Sequence, residues 1–109
     1  MDALRRRLVE VAARGTTITY DELRGELDLS GDLVPILRSL SVAEDEAGRG
    51  LLTAVVVRRD TGIPGAGWFR LAEERGRELH DRIGMWQAER ARLEEVHREL
   101  DAPNGGEES

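Results

Sequence analysis
The chain has 109 residues and a mass of 12.1 kDa, room for one compact domain with an appendage but not for two. It has no cysteine, which excludes a disulfide framework, a thiolate nucleophile and a cysteine zinc site. The 16 basic residues are all arginine and face 22 acids, and the net charge of −6 opposes strong sequence-blind binding to nucleic acid.

The first predicted element is a helix over residues 2–14. Leu4, Leu8, Val11 and Ala12 fall on one face, Asp2 suits the N-cap and Gly15 suits the stop. Thr16–Thr19 is a β-branched run that predicts a brief strand. Thr19 with Glu22 three residues on is a capping-box pattern, so a second helix runs to about Leu27 with Tyr20, Leu23 and Leu27 on its apolar side. Asp28–Gly31 reads as a turn. A third helix starts from Asp32, with Pro35 tolerated in the first turn and Leu33, Ile36, Leu37 and Leu40 facing inward.

The acid-rich stretch 44–50 reads as a solvated loop. Leu51–Arg58 carries the strongest strand signal, and its near-continuous apolar character implies burial. Arg59–Gly62 has turn chemistry, and Ile63–Gly67 continues an irregular connection. From Trp68 to about Leu100 the pattern is helical, with weak points at Gly76 and Gly84. Ala72, Leu79, Trp86, Leu93 and Leu100 recur every seven residues, but the companion positions Gly76, Ile83, Arg90 and His97 complete only half a coiled-coil seam.

This order predicts an α+β fold. Residues 1–83 form a winged-helix-like small domain, 84–100 a long C-terminal helical extension and 101–109 a disordered tail. The alternative is a small α+β domain whose two-stranded sheet pairs Thr16–Thr19 with the later strand. Thr17-Ile18-Thr19-Tyr20-Asp21-Glu22-Leu23 resembles the (V/I)TYGELA segment that opens the DNA-binding winged helix of alkyltransferase-like proteins, over about residues 14–42. That family carries an arginine finger where Val34 stands here, and its reactive PCHR segment has no counterpart. The resemblance therefore implies a fold and not alkyl transfer or damage recognition. Residues 49–75 are also similar to a segment of small uncharacterised bacterial and phage proteins, which implies a single domain.

Catalytic signals are sparse. None of the serines lies in a G-x-S-x-G elbow, and both histidines, His80 and His97, fall in the C-terminal helical region. The acids sit in surface-type runs. Glu94 and His97 form one Glu-x-x-His step, where a carboxylate-bridged metal site needs two. The glycines at 62–67 lack a P-loop lysine and read as turn formers, with Trp68 and Phe69 anchoring the following helix to the core. The reading is a non-catalytic binding module with no cofactor, metal or small-molecule substrate.

Two functions follow. Residues 51–70 sum to +2, the least hostile stretch for a phosphate. As a DNA-associated regulator, the chain would bind duplex DNA through Arg38 and Ser39 on the third helix and Arg58 and Arg59 at the wing, with help from Arg5-Arg6-Arg7. As an adaptor, it would form a homodimer or hold a partner protein through Trp86, Leu93 and Leu100 on a projecting C-terminal helix. The longest largely apolar run, Leu51–Val57, is far short of the ~20 residues of a membrane span. The N-terminus has no apolar h-region. Both features predict a cytoplasmic chain with no membrane partner.

Overall fold
Leu4, Leu8, Val11 and Ala12 form the buried stripe of helix α1, Asp2–Ala13. The computed structural model describes residues 2–28 and 31–101, with only the backbone of Asp2 and Asp101. The expected Asp2 side-chain cap, part of the turn at 28–31 and the tail beyond 101 lie outside the described residues. Strand β1, Ile18–Thr19, leads directly into α2, Tyr20–Glu26. The capping box is complete: the Glu22 amide donates to Thr19 Oγ1 at 3.1 Å, and the Thr19 amide donates to Glu22 Oε1 at 3.0 Å. Asp32 accepts from the Val34 amide at 3.0 Å and starts α3, Leu33–Glu46. Leu33, Leu37 and Leu40 of α3 are buried, whereas Ile36, expected beside them, is 38% exposed.

Among the described residues there are two strands, and they pair in parallel. Ile18 lies opposite Val56 and Thr19 opposite Val57 of β2, Val56–Val57. This is the two-stranded sheet of the alternative reading. The strand expected at 51–58 is corrected: Leu52–Val55 is a 3₁₀ turn and only Val56–Val57 are paired as a strand. All of 51–57 is buried, so each backbone polar group there needs a partner. A two-residue partner strand cannot supply them, and side chains do so instead. The Leu51 amide donates to Glu89 Oε2 at 2.8 Å, and the Thr53 amide donates to Ser41 Oγ at 3.0 Å. The Trp86 indole N–H donates to the Ala54 carbonyl at 2.8 Å.

The predicted long helix is two helices, α4 (Ala66–Glu74) and α5 (Arg82–Asp101). The break falls at Gly76, whose φ of 93° allows the Arg77 amide to return to the Ala72 carbonyl at 2.9 Å, a Schellman stop. Gly84 lies inside α5 and breaks nothing. The apolar heptad is thereby cut, since Ala72 belongs to α4 and Leu79 to the connection. Nor does α5 project as an extension. It packs along α1 and the 3₁₀ turn, with Trp86 and Leu93 in the same core as Leu8 and Leu51. Its arginines also serve helix ends. Arg90 Nη2 donates to the Gly15 carbonyl at 2.9 Å, beyond the end of α1, and Arg92 Nη2 to the Gly48 carbonyl at 3.2 Å, beyond that of α3. Gly50 makes the close approach possible, because a Cβ there would sit 3.2 Å from Leu93 Cδ2 and 3.1 Å from Glu89 Oε2. Its φ of 95° also favours glycine. Among the described residues no helix is long and apolar enough to cross a membrane.

The stretch expected as a solvated loop at 44–50 is corrected as well. Residues 44–46 are the last turn of α3, and Glu44 is only 3% exposed. Arg49 holds it through Nε at 2.8 Å and Nη2 at 3.0 Å, and Arg5 through Nε at 2.8 Å and Nη2 at 3.2 Å. These two forks, Arg49 foremost, outweigh burial and bring the carboxyl from an ordinary 4.5 down to about 2. A depressed folded-state value stabilises the fold above the unfolded value, and that contribution is lost as pH falls from about 4.5 through about 2. At ~1.4 kcal/mol per pH unit, the loss is on the order of 3 kcal/mol. Urea titrations between those pH values are expected to show this slope in the parent chain. Glu44→Gln should be less stable at neutral pH and lack this part of the acid dependence. Equal acid slopes in the two proteins would remove Glu44 from the account.

Candidate interaction groove
Each arginine that sequence reasoning assigned to DNA lies against a carboxylate of this chain. Arg38, half-exposed on α3, is ion-paired with Glu74 of α4. Arg58 grips Asp60 in a two-pronged contact, Nε at 3.0 Å and Nη2 at 2.8 Å. Arg59 Nη1 lies 3.6 Å from Asp21 Oδ2 at the start of α2. Ser39 is exposed on α3. In the N-terminal basic run, Arg5 is committed to Glu44, and Arg7 to Glu26 at 2.7 Å. Within 51–70, Arg58 meets Asp60 and Arg59 meets Asp21 from outside the segment, which leaves Arg70 as its cation without a carboxylate partner among the described residues.

The residues assigned to partner binding also change role. Trp86 and Leu93 are 5% and 0% exposed and belong to the core, and only Leu100 remains exposed, at 63%. A strip that needed all three to reach a partner does not exist on this chain.

A groove that the sequence reading missed opens between the start of α2, the first half of α3, and α4. Its volume is about 420 Å³, within the range of roughly 300–1,000 Å³ typical of ligand pockets. Its apolar lining comes from Val34 and Leu37 of α3 and from Trp68 and Leu71 of α4. Arg38, Arg58 and Arg70 add three guanidinium groups to the wall. The pattern follows from helix geometry. Leu33, Leu37 and Leu40 turn α3 inward, which leaves Val34 and Arg38, one turn apart, on the groove side. On α4, Trp68, Phe69, Leu71 and Ala72 are buried, and Arg70 between them is exposed.

Trp68 and Phe69 do anchor a helix to the core as expected, with ring centroids 5.2 Å apart at 84°. The Trp68 indole N–H is buried and has no hydrogen-bond acceptor among the described residues, unlike that of Trp86. Tyr20 closes one end. Burial raises its phenol above the ordinary value, partly offset by the Gly65 backbone and the Arg58 charge. Arg70 has no carboxylate partner among the described residues, in contrast to Arg38 and Arg58. One sequence signal pointed here: Val34 is an apolar residue off the Leu33–Leu37–Leu40 stripe, and it is 57% exposed.

The acids described as a surface run at 44–46 have structural work. Asp45 accepts from Arg75 at 2.9 Å and from Arg77 at 3.1 and 2.8 Å, and these guanidinium groups, Arg77 foremost, hold its carboxyl below the ordinary range. His80 is exposed in the connection between α4 and α5, and His97 is buried within α5. Among the described residues no three His, Asp or Glu side chains gather as metal ligands. The chain matches no family model, no curated protein and no solved structure.

Proposed function
We propose that this chain is a small, non-catalytic, cytoplasmic protein-interaction module of winged-helix-like element order that docks a partner in the α2–α3–α4 groove. The order α1, β1, α2, α3, β2 supports the winged-helix comparison. Its wing is shortened to the loop that the Arg58 amide closes on the Ile63 carbonyl at 2.9 Å. The observation that carries the reading is Val34, an apolar side chain more than half exposed at the edge of an apolar groove. It lies on the helix a DNA-reading winged helix would place in the major groove. Exposed apolar surface around a groove favours a protein ligand, whereas DNA contact uses free cations and hydrogen-bonding side chains. Arg38, Arg58 and Arg59 meet Glu74, Asp60 and Asp21 in exposed, weak pairs, so the exposed apolar Val34 rather than the charges separates the two ligands. Pairing through α5 is disfavoured by the burial of Trp86 and Leu93.

Nitrogen-15 NMR titration tests the reading. A panel of short peptides with leucine or phenylalanine anchors is expected to shift the Val34, Leu37 and Leu71 amides and the Trp68 indole signal. Duplex DNA at about 50 mM salt, where phosphate attraction is exaggerated, is expected to leave them in place. Duplex-induced shifts centred on Arg38, Ser39, Arg58 and Arg59, lost in Arg58→Ala and Arg59→Ala, would overturn it in favour of DNA.

A further inference from the structure
We infer that the groove's partner is an acidic peptide segment: a bulky apolar anchor residue with carboxylates on either side, seated on Val34, Leu37, Trp68 and Leu71. This rests on the interaction reading above and adds the chemistry of the occupant. In a chain of net charge −6, three arginines line one small apolar groove. A guanidinium matches a carboxylate with two parallel donors, so anions near the rim are the complementary chemistry.

Two of the three cations are held by carboxylates of this chain, and both contacts are at the surface. Glu74 on Arg38 is about half-exposed, and Asp60 on Arg58 is 62% exposed. Exposed pairs of this kind contribute little to stability, so a partner's carboxylate can replace either one at small cost. Glu74 and Asp60 thus show where ligand acids sit. Arg70, which has no intramolecular acid among the described residues, is the cation open to the ligand from the start.

Apolar surface that runs on past the groove favours a peptide over a compact small molecule. The groove's 420 Å³ lies near the lower end of the ligand-pocket range, enough for an anchor side chain. Val34 carries the apolar surface beyond the cavity onto the exposed face of α3, where a continuing chain would cover it. The recognition mode is then an anchor in an apolar groove flanked by charge, in which Arg supplies specificity and the anchor supplies most of the affinity.

The test uses a fluorescein-labelled octapeptide with a central Leu-Phe pair between glutamates, alongside a glutamine version and a version with Ala-Ala at the centre. Fluorescence polarisation with the full chain is expected to show binding of the first peptide. Each altered peptide, and the Arg70→Gln protein with the first peptide, should bind about tenfold more weakly or worse. Arg70→Gln removes no ion pair among the described residues, so its thermal midpoint should match the parent and its loss of binding cannot be ascribed to unfolding. The Trp68 indole signal should move only with peptides that bind.

Equal binding of the glutamine and glutamate peptides would overturn this inference while leaving an apolar docking groove intact. Silence of the groove to every peptide would overturn the interaction reading itself. Displacement of the octapeptide by duplex DNA, or movement of the Trp68 signal by phenylacetate with no response to any peptide, would assign the groove to another ligand and overturn the proposal.

Discussion
Replacing Arg77 by alanine is expected to remove roughly 3–5 kcal/mol of stability, the usual effect of breaking a buried ion pair from one side. Arg77 sits between two carboxylates with little access to water. Its guanidinium donates to Asp45 at 2.8 and 3.1 Å and to Glu89 at 2.9 and 3.2 Å, and Nη1 also reaches the Arg75 carbonyl at 3.0 Å. Hydrogen bonding to Asp45, ahead of that to Glu89, raises its pKa further above an already high value, so the cation persists at any working pH. Without it, Glu89 keeps the Leu51 amide at 2.8 Å but holds a buried negative charge with no cation against it. Against a total of ~5–15 kcal/mol for a domain of this size, the urea midpoint should fall by roughly 2 M. Arg77→Lys is expected to recover only part of the loss, because an ammonium cannot fork across two carboxylates. Combining Arg77→Ala with Glu89→Ala should cost less than the sum of the single changes. Strict additivity would mean that the two side chains do not act as one unit.

Leu93→Ala is the second large effect, expected at about 2–5 kcal/mol for a leucine deleted from a packed core. Leu93 is fully buried, in contact range of Gly50, and it ties α5 to the body of the chain. The informative measurement is the dependence on protein concentration. Helix α5 covers its apolar residues with its own α1 and 3₁₀ turn, so the unfolding midpoints of parent and variant should stay constant over about a hundredfold range of concentration. A midpoint that climbs with concentration in the parent and not in the variant would show that Leu93 also stabilises an association between chains.

How much of this could be read from the sequence divides by the range of the interaction. The start of α2 is settled by Thr19 and Glu22, and the start of α3 by Asp32 and the Val34 amide. These contacts span two or three residues, so the pattern of residue types carries them. The inward stripe of α1 and the Leu33, Leu37 and Leu40 positions of α3 are equally local, being a repeat of the helix turn, whereas Ile36, placed on the same face by the sequence pattern, is 38% exposed. Leu51–Val57 is different. Its composition predicts a strand, yet its shape is decided by Ser41, Trp86 and Glu89, which satisfy its buried backbone from 12 to 38 residues away.

The same reason hid the role of the charges. Glu44 and Asp45 look like a solvated run because Arg5 on α1 and Arg75 and Arg77 just past the end of α4 lie 30 to 39 residues away, and Arg38 looks free because Glu74 follows it by 36 residues. The groove is the extreme case, since its walls come from α2, α3, α4 and the Arg58 loop, and no window of sequence contains it. Helix caps and apolar faces were therefore determined by the sequence itself, through neighbours one turn apart. Burial of charge and the irregular path of 51–57 were decided only by tertiary packing, because each depends on which distant side chain arrives to satisfy a group that cannot reach water, and the groove likewise, because its walls come from separate elements.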